Sequence, residues 1–137
     1  MKLSIVLPVH NEYENLNSLL TEWYKELKKI SHISFEFVLV EDGSTDGTKE
    51  LIKKLENVYP ILNLSSEKKR GYTRAVLDGI TSSSGDYILC TDSDNQIKVK
   101  SLIDNISKLP EENFFLIGYR NPRRDPINRI IYSKLFK

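Results

Sequence analysis

Two carboxylates one residue apart, Asp92 and Asp94, are the strongest candidates for chemistry in this 137-residue chain. They follow the short apolar run Tyr87 to Cys90, which predicts a buried strand. Closely spaced carboxylates at a strand end repel each other unless a cation lies between them. Mg²⁺ and Mn²⁺ suit such oxygen ligands and keep positions open for substrate phosphates. The same residue types also form ordinary polar turns, so the pair alone leaves both interpretations open.

Two other predicted strands also end in polar segments. The apolar run Lys2 to Val9 is followed by His10-Asn11-Glu12, and the run Phe35 to Val40 is followed by Glu41 to Thr48. In an open parallel sheet the carboxyl ends of the strands lie along one edge, which is where ligands of such folds bind. The three segments together therefore predict one shared ligand site.

Helix and strand patterns alternate along the whole chain. Predicted strands cover residues 2–9, 35–40, 58–64, 87–90 and 114–118. Predicted helices cover roughly residues 12–30, a segment capped near Thr45 or Asp46, and residues 71–84, 99–109 and 126–136. Trp23 falls on the core face of the first helix, and Pro60 predicts an edge strand or an irregular start for the third strand. This order predicts an α/β fold with a mainly parallel sheet.

The amino-acid composition limits the classes of protein to which this chain can belong. Hydrophobic residues make up 39% and charged residues 28% of the chain, which is ordinary for a globular protein. No apolar stretch approaches the roughly 20 residues that a transmembrane helix needs. The single cysteine, Cys90, excludes an intramolecular disulfide and is expected to be a small buried residue in a reducing cytoplasm.

Basic residues are concentrated at the end of the chain. Arg120 to Lys137 holds six basic residues and one acid, giving +5, while the remainder holds 14 basic and 18 acidic residues, giving −4. Such a basic segment predicts an anionic partner, which could be phosphate, a membrane surface or nucleic acid, or else a solvated helix face. The same predicted helix carries apolar residues at helical spacing, namely Ile127, Ile130, Ile131 and Leu135.

Four segments in order resemble family 2 glycosyltransferases: IVLPVHNEYENL (5–16), FVLVEDGSTDGT (37–48), RGYTRAVLDGI (70–80) and GDYILCTDSDNQ (85–96). Within that family, DSDNQ is similar to the DADxQ box of the polyprenyl-phosphate branch, of the dolichol-phosphate mannose synthase type. The resemblance implies the GT-A (nucleotide-diphospho-sugar transferase) fold, with a Rossmann-like, mainly parallel sheet flanked by helices. It implies one domain over residues 1–137, the nucleotide-sugar-binding half, with the acceptor part shortened or missing.

The resemblance also implies roles for the matching residues. For the nucleotide sugar it implies six contacts: Pro8, Val9, Asn11, Glu12, Asp42 and Asp92. For catalysis it implies Asp92, Asp94 and Gln96, with Asp92 and Asp94 as the metal ligands. For phosphate groups of the donor or acceptor it implies Arg120, Arg124 and Arg129. His10 stands where the family commonly has a tyrosine.

The activity that the resemblance implies is inverting transfer of a sugar from a UDP- or GDP-linked donor to a polyprenyl phosphate. It implies Mg²⁺ or Mn²⁺ as cofactor, because a nucleotide diphosphate leaves poorly until its charge is neutralised. It implies a protein in the cytoplasm or at the cytoplasmic face of a membrane, and no nucleic-acid partner. Two alternatives stay open: a saccharide acceptor in polysaccharide or cell-wall synthesis, and a truncated, non-catalytic nucleotide-sugar-binding module.

Overall fold

A computed structural model describes residues 1–106, in which strands and helices alternate. The elements in order are β1 (Lys2–Val9), α1 (Tyr13–Leu27), β2 (Ser34–Asp42), α2 (Thr48–Leu55), β3 (Ile61–Ser66), α3 (Tyr72–Ser82), β4 (Tyr87–Cys90) and α4 (Val99–Ile106). The predicted strand at 114–118, the predicted helix at 126–136 and the end of the helix predicted to reach residue 109 lie outside the described residues. Arg120, Arg124 and Arg129 lie outside them too.

The four strands form one parallel sheet in the order β3-β2-β1-β4. The register sets Val9 opposite Glu41 and Val6 opposite Cys90, so the strands end close to one another. We call the segments that follow them, residues 10–12, 43–47, 67–71 and 91–96, the carboxyl edge. The predicted parallel sheet is confirmed, and within residues 1–106 β3 is an edge strand that begins directly after Pro60.

The core lies on both faces of the two central strands. β1 and β2 are buried along most of their length, as expected for strands covered by helices on both sides. The apolar stripe of α1 is entirely buried and includes Trp23, which is 1% exposed as its sequence position predicts. The other buried members of that stripe are Leu16, Leu19, Leu20 and Leu27.

Helix α3 lies directly on the sheet because it presents small residues there. A Cβ added to Gly79 would lie 2.4 Å from Cγ1 of Val6 and 3.0 Å from Cγ2 of Val40, so only glycine allows this close approach. Ala75, one turn earlier, is 1% exposed in the same contact. The helix therefore covers β1 and β2.

Strand β4 is less buried than its apolar sequence predicts. Tyr87 and Leu89 are half-buried, whereas Ile88 and Cys90 are exposed. The prediction of a buried strand with a buried cysteine is wrong. Within residues 1–106, β4 pairs with β1 alone, and α3 packs on β1 and β2. The face of β4 that carries Ile88 and Cys90 is therefore open to solvent.

Candidate functional site

Asn11 joins the loop after β1 to the loop after β2. Its backbone N–H donates to Oγ of Ser44 at 3.0 Å, and its Oδ1 accepts the backbone N–H of Thr45 at 2.9 Å. Asn11 has a φ of 58°, a left-handed conformation that asparagine tolerates better than most residues. The side chain predicted to contact a nucleotide is thus also a structural bridge between the two loops.

Glu12 and its neighbour extend this bridge. The Glu12 backbone N–H donates to Oγ1 of Thr48 at 3.0 Å, and the Tyr13 N–H donates to Oδ2 of Asp46 at 3.1 Å. Burial alone would raise the pKa of Asp46, but hydrogen bonds from Thr48 and Tyr13 hold it below its ordinary value. The N-cap of α2 is Gly47, at a φ of 93°, next to the predicted Asp46, whose Oδ1 accepts the backbone N–H of Thr48 at 3.0 Å. The Glu12 carboxylate itself accepts a hydrogen bond from the side chain of Asn15 at 2.8 Å.

Glu41 is a buried carboxylate whose importance sequence analysis missed. It is 0% exposed and accepts hydrogen bonds from Oγ of Ser65 at 2.7 Å and from the backbone N–H of Ser44, with Nζ of Lys49 4.0 Å away. A buried charge needs such partners, so Glu41 anchors the loop after β2. Strand alternation was the available signal, because it places Glu41 on the same face as the buried Phe37.

Asp42 holds the β3–α3 loop against the end of β2. Its Oδ1 accepts the backbone N–H of Arg70 at 2.7 Å, and its Oδ2 accepts the N–H of Gly71 at 2.8 Å. Burial alone would raise the pKa of Asp42, but these hydrogen bonds keep it below its ordinary value. Its carbonyl oxygen lies 2.9 Å from Nδ1 of His10. The backbones of the two loops touch at Gly43, whose φ is 68° and whose added Cβ would lie 2.6 Å from the Lys69 nitrogen.

The β3–α3 loop also reaches β4. Tyr72, the first residue of α3, donates its hydroxyl hydrogen to Oδ1 of Asp92 at 3.2 Å. Burial, and then the negative charge of Asp92, raise the pKa of Tyr72. Since β1 lies between β2 and β4, the loop crosses the end of β1 to connect Asp42 with Asp92.

The segment that carries both predicted metal ligands is anchored to β1 by the residue between them. Ser93 is 5% exposed and donates its hydroxyl hydrogen to the carbonyl oxygen of Pro8 at 2.8 Å. Asp92 and Asp94 flank it and are half-buried. Oδ1 of Asp94 accepts the backbone N–H of Gln96 at 3.1 Å, and this side-chain hydrogen bond closes a local turn. Asp92 and Asp94 therefore lie at the carboxyl edge, as predicted.

The carboxylates at this edge could hold a divalent ion together with a substrate. Among residues 1–106 no group of three or more His, Cys, Asp or Glu side chains is placed to bind a metal. A site with one or two protein carboxylates, completed by phosphate oxygens and water, is the usual arrangement for Mg²⁺. Asp92 and Asp94 fit this second kind of site.

Two of the basic residues beside the carboxyl edge form ion pairs with the same aspartate. Arg70 contacts Asp78 at 2.8 Å, and Arg74 contacts the same carboxylate at 2.9 Å. Lys68 and Lys69 are exposed. Asp78 therefore neutralises part of the positive charge of this group.

The parallel sheet flanked by helices, together with the likeness to solved glycosyltransferase structures, places the chain in the GT-A class of folds, as the resemblance implied. The model of the family "Glycosyl transferase family 2" matches residues 4–134, and the chain belongs to this family. No helix among residues 1–106 has both the length and the apolar character needed to cross a membrane.

Two curated relatives match almost the whole of this chain. The chain is 34% identical over 136 residues to the dolichol-phosphate mannosyltransferase of Pyrococcus furiosus, covering 98% of this chain and 38% of that protein. It is 31% identical over 137 residues to the undecaprenyl-phosphate 4-deoxy-4-formamido-L-arabinose transferase of Salmonella choleraesuis, covering 98% and 41%. The chain thus spans about two-fifths of the length of these relatives.

Solved structures with the same fold contain nucleotide sugars. S. aureus TarS 1-349 in complex with UDP-GlcNAc superposes with a TM-score of 0.64 at 27% identity, covering 78% of this chain and 30% of that one. The mannosyltransferase PcManGT from Pyrobaculum calidifontis, in complex with GDP-Man and Mn²⁺, superposes with a TM-score of 0.57 over 67% of this chain and 27% of that one. At 22% identity the second likeness supports the fold alone.

Proposed function

We propose that this chain is the donor-binding part of a metal-dependent glycosyltransferase that moves a sugar from a nucleotide diphosphate to a polyprenyl phosphate. The observation that carries the proposal is the position of Asp92 and Asp94 at the end of β4, beside the ends of β1 and β2, in a family 2 chain. The names of the curated relatives, which contain dolichol phosphate and undecaprenyl phosphate, support the choice of acceptor.

The nucleoside would bind over the ends of the two central strands. Pro8 and Val9 end β1, Asn11 and Glu12 follow it, and Asp42 ends β2. Carboxylates accept hydrogen bonds from ribose hydroxyls at other nucleotide sites, which suits Glu12 and Asp42. The bond between His10 and the Asp42 carbonyl, together with the bonds of Asn11, holds these groups in one arrangement before a ligand binds.

Asp92 and Asp94 would hold Mg²⁺ or Mn²⁺ beside the diphosphate, with Gln96 next to them. A divalent ion there would neutralise the charge that develops on the departing diphosphate. The Ser93 bond to Pro8 holds this segment against the end of β1, which supports a site that would orient the donor at both of its ends. Transfer with inversion then requires in-line attack by an acceptor oxygen on the anomeric carbon, which breaks its bond to the diphosphate.

A phosphate acceptor is consistent with the chemistry of this chain. A polyprenyl phosphate is already an anion, so a strong general base is less necessary than for a hydroxyl acceptor. Arg120, Arg124 and Arg129 would bind phosphate groups, because guanidinium matches phosphate geometry. Since such an acceptor is a lipid, we expect the reaction at the cytoplasmic face of a membrane.

Calorimetry tests the donor site directly. We expect UDP or GDP to bind with Mn²⁺ present, and both EDTA and Asp94→Asn to abolish that metal-dependent binding. Asp86→Asn is the matched control, because Asp86 precedes β4 at the opposite end and accepts the Lys2 backbone N–H at 2.7 Å. Undiminished nucleotide affinity both in EDTA and in Asp94→Asn would contradict the metal role.

Transfer of radiolabelled sugar tests the acceptor. Label moved from the donor to a short-chain polyprenyl phosphate supports the proposal. Label moved only to an oligosaccharide would instead identify a saccharide-directed enzyme. Nucleotide binding without transfer to either acceptor would identify a non-catalytic binding module.

A further inference from the structure

Tyr72 has a position that burial does not explain. It is 59% exposed at the first turn of α3, so its ring gains little from packing. Its hydroxyl nevertheless donates to Oδ1 of Asp92, a residue 20 positions away on a different element. A tyrosine hydroxyl directed at a carboxylate of the carboxyl edge indicates a role in that site.

The backbone next to Tyr72 is held by Asp42, at the end of β2. The residue before it, Gly71, has a φ of 99° and donates its backbone N–H to Oδ2 of Asp42. The backbone N–H of Arg70 donates to Oδ1 of the same carboxylate. Both bonds go to a carboxylate that is only 4% exposed, and charge-assisted bonds of this kind are among the stronger ones. Tyr72 is therefore presented to Asp92 from an ordered loop.

The two carboxylates of the proposed metal site are held in different ways. Oδ1 of Asp94 accepts the N–H of Gln96 from its own segment, whereas Oδ1 of Asp92 accepts a hydrogen bond from α3. A hydrogen bond to one oxygen restricts the rotation of the carboxylate and so favours certain directions for its other oxygen. Partners of this kind orient metal ligands, and their loss typically costs 10- to 100-fold in metal affinity.

We propose that Tyr72 is a positioning residue that orients Asp92 for the divalent ion, and that Asp42 supports it through Gly71. The proposal rests on the proposed function, in which Asp92 is a metal ligand. It adds a residue that neither the strand-end pattern nor the resemblance singled out. It also makes metal affinity depend on α3, an element that contributes no ligand of its own.

Tyr72→Phe tests the proposal, because it removes the hydroxyl and keeps the ring. We expect the Mn²⁺ concentration for half-maximal UDP or GDP binding to rise about tenfold. Nucleotide affinity at saturating Mn²⁺ and the thermal midpoint should stay at wild-type values. The electron paramagnetic resonance spectrum of bound Mn²⁺ should change, since the geometry of its ligands changes.

Tyr59→Phe is the matched control. Its hydroxyl lies 2.9 Å from Oγ1 of Thr21, also an exposed contact, but it precedes β3 at the opposite edge of the sheet. Its Mn²⁺ dependence should equal that of the wild type.

Three outcomes would overturn the positioning role. An unchanged Mn²⁺ dependence in Tyr72→Phe, with metal-dependent binding lost in Asp94→Asn, would show that the hydroxyl does not act on the metal site. Weaker nucleotide binding at saturating Mn²⁺ would show that the hydroxyl contacts the nucleotide itself. Absence of any Mn²⁺ dependence in the wild type would overturn the proposed function and this proposal together.

Discussion

Asp42 combines a structural and a proposed binding role in one side chain. Each of its oxygens accepts a backbone N–H from the β3–α3 loop, and its carbonyl contacts His10. A carboxylate oxygen can accept more than one hydrogen bond, so these contacts are compatible with a further bond to a nucleoside. Replacing Asp42 is therefore expected to disturb both the loop and the ligand.

Asp42→Ala should weaken nucleotide binding by about 1–3 kcal/mol, the usual effect of losing a buried hydrogen-bond partner. Calorimetric titration with UDP and GDP measures this. Asp46→Ala is the matched control, because Asp46 also accepts backbone N–H groups, from Tyr13 and Thr48, and has no assigned ligand contact. Equal losses of affinity in the two variants would mean that loop order alone matters and that Asp42 has no contact with the nucleoside.

Sequence patterns predicted the position of the proposed site residues but not their hydrogen-bond partners. Asp42, Asp92 and Asp94 were predicted at one edge because parallel strands end together, and the structure places them there. The bond between Tyr72 and Asp92 was not predictable, because it depends on how the β3–α3 loop crosses β1. Such contacts follow from tertiary geometry, which spacing along one chain does not contain.

At the scale of elements, α3 is fastened to the sheet at both ends. Its first turn meets the carboxyl edge through Tyr72, and the residues after it meet the opposite edge through Glu36. Glu36 accepts hydrogen bonds from the backbone N–H of Ser84 at 3.0 Å and from Oγ of Ser4 at 2.6 Å, and lies 3.2 Å from Nζ of Lys2. This group joins β1, β2 and the segment after α3.

The Glu36 group should make stability depend on pH. Burial alone would raise the pKa of Glu36, but hydrogen bonds from Ser4, Ser84 and Lys2 lower it from 4.5 to about 2. Because the folded pKa is the lower one, the stability that Glu36 supplies is fully present above pH 4.5 and is lost as the pH falls towards 2. Glu36→Ala should lower the free energy of unfolding by about 1–3 kcal/mol at neutral pH.

Urea denaturation between neutral pH and about pH 2.5 would measure this, and the difference between Glu36→Ala and the wild type should shrink as the pH falls. Glu26→Ala is the control, because the Glu26 carboxylate forms an exposed pair with Lys29, two residues beyond the end of α1. Its effect should stay within about 0.5 kcal/mol. A difference for Glu36→Ala that stays constant over the whole pH range would contradict the assignment.

The elements themselves were predictable to different degrees. β1 and β2 are apolar runs and α1 has a helical period. The structure confirms β1 at its predicted bounds, and α1 and β2 with shifts of a few residues at their ends. The burial of β4 was mispredicted because an apolar run shows that a strand can be buried, while burial itself depends on what covers it. Gly79 illustrates the same limit, since its need for a close helix contact is visible only once α3 lies on Val6.

At the scale of the whole molecule, charge is unevenly distributed along the chain. Residues 1–119 carry a formal charge of −4 and residues 120–137 carry +5. Segments with basic and apolar residues at helical spacing bind anionic lipid surfaces in other proteins. The opposing hypothesis is that the apolar residues pack against protein.

We expect the chain to co-sediment with anionic vesicles and not with neutral ones, because the +5 segment is attracted to anionic head groups. Binding should weaken in high salt, which screens such attraction, and in Arg123→Ala/Arg124→Ala. Lys53→Ala/Lys54→Ala, on α2, is a control with the same loss of charge elsewhere. Failure to bind either kind of vesicle would remove the membrane role.

The hydrogen bonds between the loops after β1 and β2 also make the separation of those loops measurable by hydrogen exchange. The amides of Asn11, Glu12 and Tyr13 donate to the side chains of Ser44, Thr48 and Asp46, which lie in the loop after β2 and at the start of α2. Their exchange with deuterated solvent therefore requires the two loops to separate, whereas fraying of α1 alone would leave them protected. The exchange rates of these three amides therefore measure how often the two loops of the proposed donor site separate.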